Sequence, residues 1–169
     1  MTTFGTSNTL KFKSDYNLSE HGVGLKLSGL RLANTILIVT KTKPIVEYGS
    51  SSSFLSIGLL STHFIKDTQS TLLVAPIVSI EIKNKRIARH LTPQPEHFLG
   101  IIASYCKAKF DSGEALMQYG MNCMGEQVGT HIFMFDLKKV KSDKGNYENE
   151  VVSREGEIEI NPRVFKEYE

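Results

Sequence analysis

The sequence predicts an α+β fold: a mostly antiparallel sheet with one clear central helix and one or two short helices. Three observations carry that expectation. Strand-like stretches recur along the chain, at Thr35–Thr42, where β-branched residues dominate, and at Leu72–Ile82, Val128–Leu137 and Val151–Ile160. The stretch Pro95–Lys109 instead has its apolar residues at helical spacing. Strands stand before and after that helix without regular βαβ alternation, so the pattern is that of an antiparallel sheet. The 169 residues, 40% apolar and 22% charged, suit one hydrophobic core. They divide into a flexible N-terminal arm (1–13), a single α+β domain (14–161) and a short charged tail (162–169).

In chain order, Leu10 and Phe12 alternate with lysines, which marks a short strand or an arm that docks elsewhere. Val23, Leu25 and Leu27 alternate at strand spacing beside Gly22 and Gly24. Thr35–Thr42 reads as a strand buried on at least one face, and Ile45–Tyr48 continues it as an edge segment after Pro44. Between Ser53 and Ile65 the spacing of Ile57, Leu60 and Phe64 behind serines favours a helix, against Gly58 and a nearly continuous apolar run. Leu72–Ile82 is a strand that is bulged or peripheral at Pro76, and Asn84–Arg89 is a turn with a basic extension.

The central helix presents Phe98, Ile101, Ile102, Tyr105 and Cys106 as one stripe. Thr92, Pro93 and Pro95 start it, Glu96 suits its dipole, and Asp111-Ser112-Gly113 stops it. Glu114–Met121 then reads as a strand. Val128–Leu137 is a strong strand with Phe133 and Phe135 on one face, and Lys138–Asn146 a polar, lysine-rich turn. In the last strand Ile158 and Ile160 alternate with Glu157 and Glu159 before Asn161-Pro162.

No constellation calls for catalysis. His21, His63, His90, His97 and His131 share no metal-type spacing with each other or with Cys106 and Cys123. The segment around Cys106 is amphipathic, the pattern of a core residue rather than a nucleophile, and no G-x-S-x-G occurs. Glu81 has no carboxylate brought to it by the sequence, and Gly22-Val23-Gly24 lacks a phosphate-loop continuation. The expectation is a protein that is not an enzyme and needs no cofactor, metal or small-molecule substrate. No apolar leader and no run of membrane-spanning length occurs, and the two cysteines suit a reducing compartment.

Charge is the remaining signal. Lys83, Lys85, Arg86 and Arg89 form one basic run, and Lys138, Lys139, Lys141 and Lys144 another. Should their strands end on the same edge of the sheet, they would form one surface for an anionic partner such as nucleic acid. The segment from Asn146 onward holds seven acids against three bases, −4, while the preceding residues carry +6. That imbalance suits contact with an anionic partner, or pairing of tail and body within a chain or between subunits.

The segments EHFLGIIASYCKAKF (96–110), SGEALMQYGM (112–121) and GTHIFMFDLKKV (129–140) resemble, in their order, the end of the matrix-protein fold of rhabdoviruses. GLKLSGLRLANTILIVTKT (24–42) is similar, less closely, to that family's early strand region. Together they span about a third of the chain. The resemblance implies a structural protein that coats nucleocapsid, located in the virion and host cytoplasm, and touching anionic membrane peripherally. It also implies a homo-oligomer, with segment 1–13, including Leu10 and Phe12, placed as a self-association arm. Partners would be the protein itself and, through the basic patches, nucleoprotein or nucleic acid. The chain departs from the family in lacking a dense N-terminal lysine cluster and a P-P-x-Y motif. The alternative is a single-stranded nucleic-acid-binding domain, OB-like, from a phage or mobile element.

Overall fold

The computed structural model describes residues 24–42, 45–47, 50–72, 74–122, 128–141, 147–149, 151–154 and 157–160. The expected arm at 1–13, with Leu10 and Phe12, and the tail at 162–169 lie outside these residues.

The architecture is α+β, and its main sheet is wholly antiparallel in its pairing. Strand β1 (Ala33–Lys41) lies between β3 (Ser50–Ser61) and β6 (Gly129–Leu137), and β4 (Ile77–Lys83) lies between β3 and β5 (Arg86–His90). The order across the sheet is β5-β4-β3-β1-β6, with the short β2 (Ile45–Glu47) pairing with β3. Pro44 cannot donate to a ladder, and the register explains how the edge survives it. Lys41 faces Leu55 and Ile45 faces Ser52, so β2 resumes the pairing one residue out of step. Helices α3 (Pro95–Ser104) and α4 (Gly113–Asn122) cover one face of the sheet. Two further hairpins, β7 (Lys139–Lys141) with β8 (Tyr147–Asn149) and β9 (Val151–Arg154) with β10 (Glu157–Ile160), are separate two-stranded sheets.

Alternation along the strands builds the core. Leu37 and Val39 of β1, Leu55, Ile57 and Leu59 of β3, and Val78, Ile80 and Ile82 of β4 point to the helical face. They meet Leu99, Ile102, Cys106, Phe110 and Leu116. Phe133 and Phe135 of β6 pack on the same cluster, which places the two rings in the core.

Several elements differ from the sequence expectation. The expected single central helix is not what the described residues show: α3 and α4 are equally long, 10 residues each. Glu114–Met121 is helical because Leu116 and Gly120, four apart, are the residues it buries. Helix α3 ends at Ser104 rather than at Lys109. The Tyr105 and Cys106 amides turn back to the Ile102 and Ala103 carbonyls, and the following turn inserts Phe110 into the core. Its buried stripe is Pro95, Leu99, Ile102 and Ala103, one residue out of phase with the expected one. Ser50–Ser61 is a 12-residue strand, and only Thr62–Asp67 forms a helix, α2, capped by Ser61. The span holding Leu25 and Leu27 is helix α1 (Gly24–Leu32). It lies on the other face of the sheet, where a Cβ at Gly29 would collide with Ile36 Cδ1. Helix α2 is tied to α3 by the Tyr105 hydroxyl, which donates to Asp67 Oδ2 at 2.6 Å and is held protonated up to about 12 by that bond.

Candidate interaction surfaces

The two basic runs come to rest at opposite corners of the sheet. The first lies on the β4–β5 hairpin. Asn84 and Lys85 both have positive φ, 51° and 60°, the backbone of a type I′ turn that folds β5 back on β4. Lys83 faces Arg86 and Glu81 faces Arg89 across the pair, with a bulge between that keeps both arginines on the face away from α3 and α4. Glu81 sits among them. Its carboxylate accepts from Ser52 Oγ at 2.8 Å and from Lys83 Nζ at 3.0 Å, which hold it below the usual carboxylate range. Arg86, Ile87, Arg89 and Leu91 are exposed.

The second run starts at the far edge. The Lys138 amide donates to the Leu32 carbonyl, at the foot of β1. Lys139 is exposed, Lys141 lies in β7, and Lys144 falls outside the described residues. Arg89 stands level, through Glu81 and Phe54, with Thr42 at the head of β1. Ten residues along the strands and four strand spacings across make about 33 Å by about 19 Å, or about 38 Å between corners. Among the described residues the two runs do not join into one positive patch, because they sit on opposite edges and at opposite ends of the sheet. Among the described strands the main sheet is open, with β5 and β6 as its edges on opposite sides.

Edge strand β6 was missed as a surface by the sequence reading. Its residues on the helical face, His131, Phe133 and Phe135, are half-buried, while Ile132 and Met134 on the other face are 45% and 36% exposed. The signal was there: in HIFMF both phases of the alternation are apolar, and only one phase can face the helices. Next to this apolar pair, Thr40 bonds Thr130 and Ser56 bonds Ser79, at 2.8 and 2.9 Å, so hydroxyls surface the same sheet face. At the foot of β6, Asp136 takes a positive φ of 54°. Its Oδ2 accepts from Asn34 at 2.8 Å and lies 2.9 Å from His63 Nε2, contacts that hold the carboxyl below its ordinary range.

His131 has a structural partner. The Tyr119 hydroxyl and His131 Nδ1 are 2.8 Å apart, and both rings meet Phe133 in T-shaped contacts. Among the described residues no three His, Cys, Asp or Glu gather into a metal-binding group. Cys106 is 1% exposed, and burial pushes its thiol up to about 12. Thiolate is the reactive form, so at pH 8 Cys106 should be inert in the folded protein and reactive once unfolding restores its ordinary ionisation. In a Cys123→Ser background, a thiol reagent should label it only in denaturant; fast labelling under native conditions would show that the α3 face of the core opens. Among the described residues no helix is long and apolar enough to cross a membrane. No protein-family model matches this chain, and no curated protein sequence matches it.

Proposed function

We propose that this chain is a non-enzymatic assembly protein of the matrix type, and that β6 is its principal self-contact. One observation carries the reading. The outer edge of β6 pairs with no described strand, and Gly129–Phe135 contains no lysine, arginine, acid or proline. Monomeric proteins blunt such edges with charge, proline or bulges, because an open row of amides and carbonyls recruits another strand. Here only Asp136, at the foot, interrupts the row. Two β6 strands meeting antiparallel about a twofold axis would join two sheets into one and cover Ile132 and Met134. The resemblance to rhabdovirus matrix proteins supports the same class of function. The proposal includes an anionic partner for each basic corner, and their separation means that each corner meets its partner alone.

Light scattering on nuclease-treated protein tests the self-contact. The wild type should form dimers that survive high salt, since backbone bonding and apolar cover dominate the joint. Placing charge in the joint with Ile132→Lys and Met134→Lys should weaken the dimer by about tenfold or more. A protein that stays strictly monomeric at high concentration, in low and in high salt, overturns the reading.

A further inference from the structure

We infer that the basic edge β5 receives strand β10 of a second copy, so that this protein polymerises through its own acidic C-terminal hairpin. The inference rests on the self-association reading but uses a different pair of edges. Strand β5 pairs only with β4 among the described strands, and β10 only with β9, so each has an edge to offer. The sequences are complementary. In Glu157-Ile158-Glu159-Ile160 acid and apolar residues alternate, and in an extended strand each kind falls on its own face. In β5, Arg86 and Arg89 share one face with Lys83, while Ile87, 39% exposed, lies opposite Ile82 on the other. Added to that edge, β10 brings its glutamates to the arginines and its isoleucines to Ile87. Opposite charges across a strand pair and matched apolar residues each favour the pairing. A lone two-stranded hairpin is marginal in water, and a third strand is what stabilises it. The charge balance, −4 from Asn146 onward against +6 before it, points the same way.

Chain geometry selects a second copy over the same one. Lys139 pairs with Asn149, which returns the chain to the Lys138 corner two residues before β9 begins. From Lys138 through that pair and out to the tip of the β9–β10 hairpin is at most about 31 Å fully extended. The arginine corner is about 38 Å away across a flat sheet, beyond that reach, and among the described strands β10 pairs within its own chain only with β9. The contact is thus heterologous: one copy gives an edge and the next receives it, and such contacts build open chains unless the rotation closes. Joined with twofold β6 contacts, they would extend dimers into larger assemblies. Ion pairs at an exposed edge are screened by salt, so this contact is the salt-sensitive one and the β6 contact is not.

Sedimentation velocity of nuclease-treated, full-length protein at ~50 mM and ~500 mM ionic strength is the test. The wild type should show species larger than a dimer at the lower salt that fall to dimers at the higher. Arg86→Glu with Arg89→Glu should abolish the large species, and so should Glu157→Arg with Glu159→Arg. Mixed in equal amounts, the two variants should regain them, because each now supplies the edge that the other lacks. That recovery separates a lost contact from a misfolded protein. Large species in either variant alone at the wild-type level, or no recovery on mixing, overturns the inference. Loss of RNA binding by the arginine variant, with assembly unchanged in both, would assign the corner to nucleic acid instead. The Ile132→Lys, Met134→Lys protein should lose the high-salt dimer and keep the low-salt polymer, so failure of one contact is distinguishable from failure of the other.

Discussion

Leu55→Ala is expected to lower the free energy of unfolding by about 3–5 kcal/mol, the upper part of the range for a buried leucine. Leu55 is fully buried near the middle of β3, with β1 on one side and β4 on the other. Helix α4 rests directly on it. A Cβ at Gly120 would stand 2.7 Å from Leu55 Cδ2 and 3.2 Å from Cδ1, so the helix backbone takes the place of a side chain. A void at Leu55 therefore opens beneath a rigid helix, and strands paired on both flanks cannot close in to fill it.

The same geometry makes a sharper prediction. Gly120→Ala alone sets a crowding cost of about 1–3 kcal/mol against a gain of about 1 kcal/mol in helix propensity. In the Leu55→Ala background the new methyl enters vacated space, so the crowding disappears and the gain remains. The double variant should be more stable than the sum of the singles by about 1–2 kcal/mol, within the range for residues in contact. Urea unfolding followed by circular dichroism measures it. Strict additivity would show that α4 is not seated on Leu55.

That contact also shows why part of the fold was legible in the sequence and part was not. Strands β1 and β4 were readable because β-branched residues dominate them, and β6 because Phe133 and Phe135 alternate onto one face. Residues 114–121 misled because Gly113 and Gly120 are poor helix formers, and local propensity weighs against a helix there. What fixes α4 is tertiary: glycine is the residue that allows the close approach to Leu55. Ser50–Ser61 misled in the opposite sense. Ile57, Leu60 and Phe64 have helical spacing, yet Leu55, Ile57 and Leu59 go to one face and Leu60 lies under α1 on the other, so a strand covered on both sides loses its alternation. The surfaces were harder still. Each basic run is plain in the sequence, but whether two runs meet depends on strand order, and β1 separates β6 from β3 for no reason visible in a linear pattern. The phase of HIFMF was readable, and the openness of that edge was not.

Ser61→Ala should cost about 2–4 kcal/mol, more than a surface cap, because one oxygen serves two partners. Ser61 is 0% exposed and ends β3 with extended dihedrals, φ −146° and ψ 127°. Its Oγ accepts from the Phe64 amide at 3.3 Å, capping α2, and lies 2.9 Å from Thr35 Oγ1, which is 2% exposed. Alanine removes the cap, worth about 1 kcal/mol, and leaves the Thr35 hydroxyl buried without its partner, worth about 1–3 kcal/mol more. Thr35→Val removes the other hydroxyl while keeping a β-branched shape in the strand. In the Ser61→Ala, Thr35→Val protein no buried hydroxyl is left without a partner, so the second change should restore about 1 kcal/mol or more of what the first removed. The effect should travel to the proposed self-contact. Ser61 anchors α2, α2 presents His63, and His63 with Asn34 holds the Asp136 carboxylate at the foot of β6. Loosening α2 should raise amide exchange at Phe135–Leu137 and leave exchange at the head of β1 unchanged. If both substitutions simply add, and exchange in β6 does not move, the hydroxyl pair is no linkage and the edge strand is set by its pairing with β1 alone.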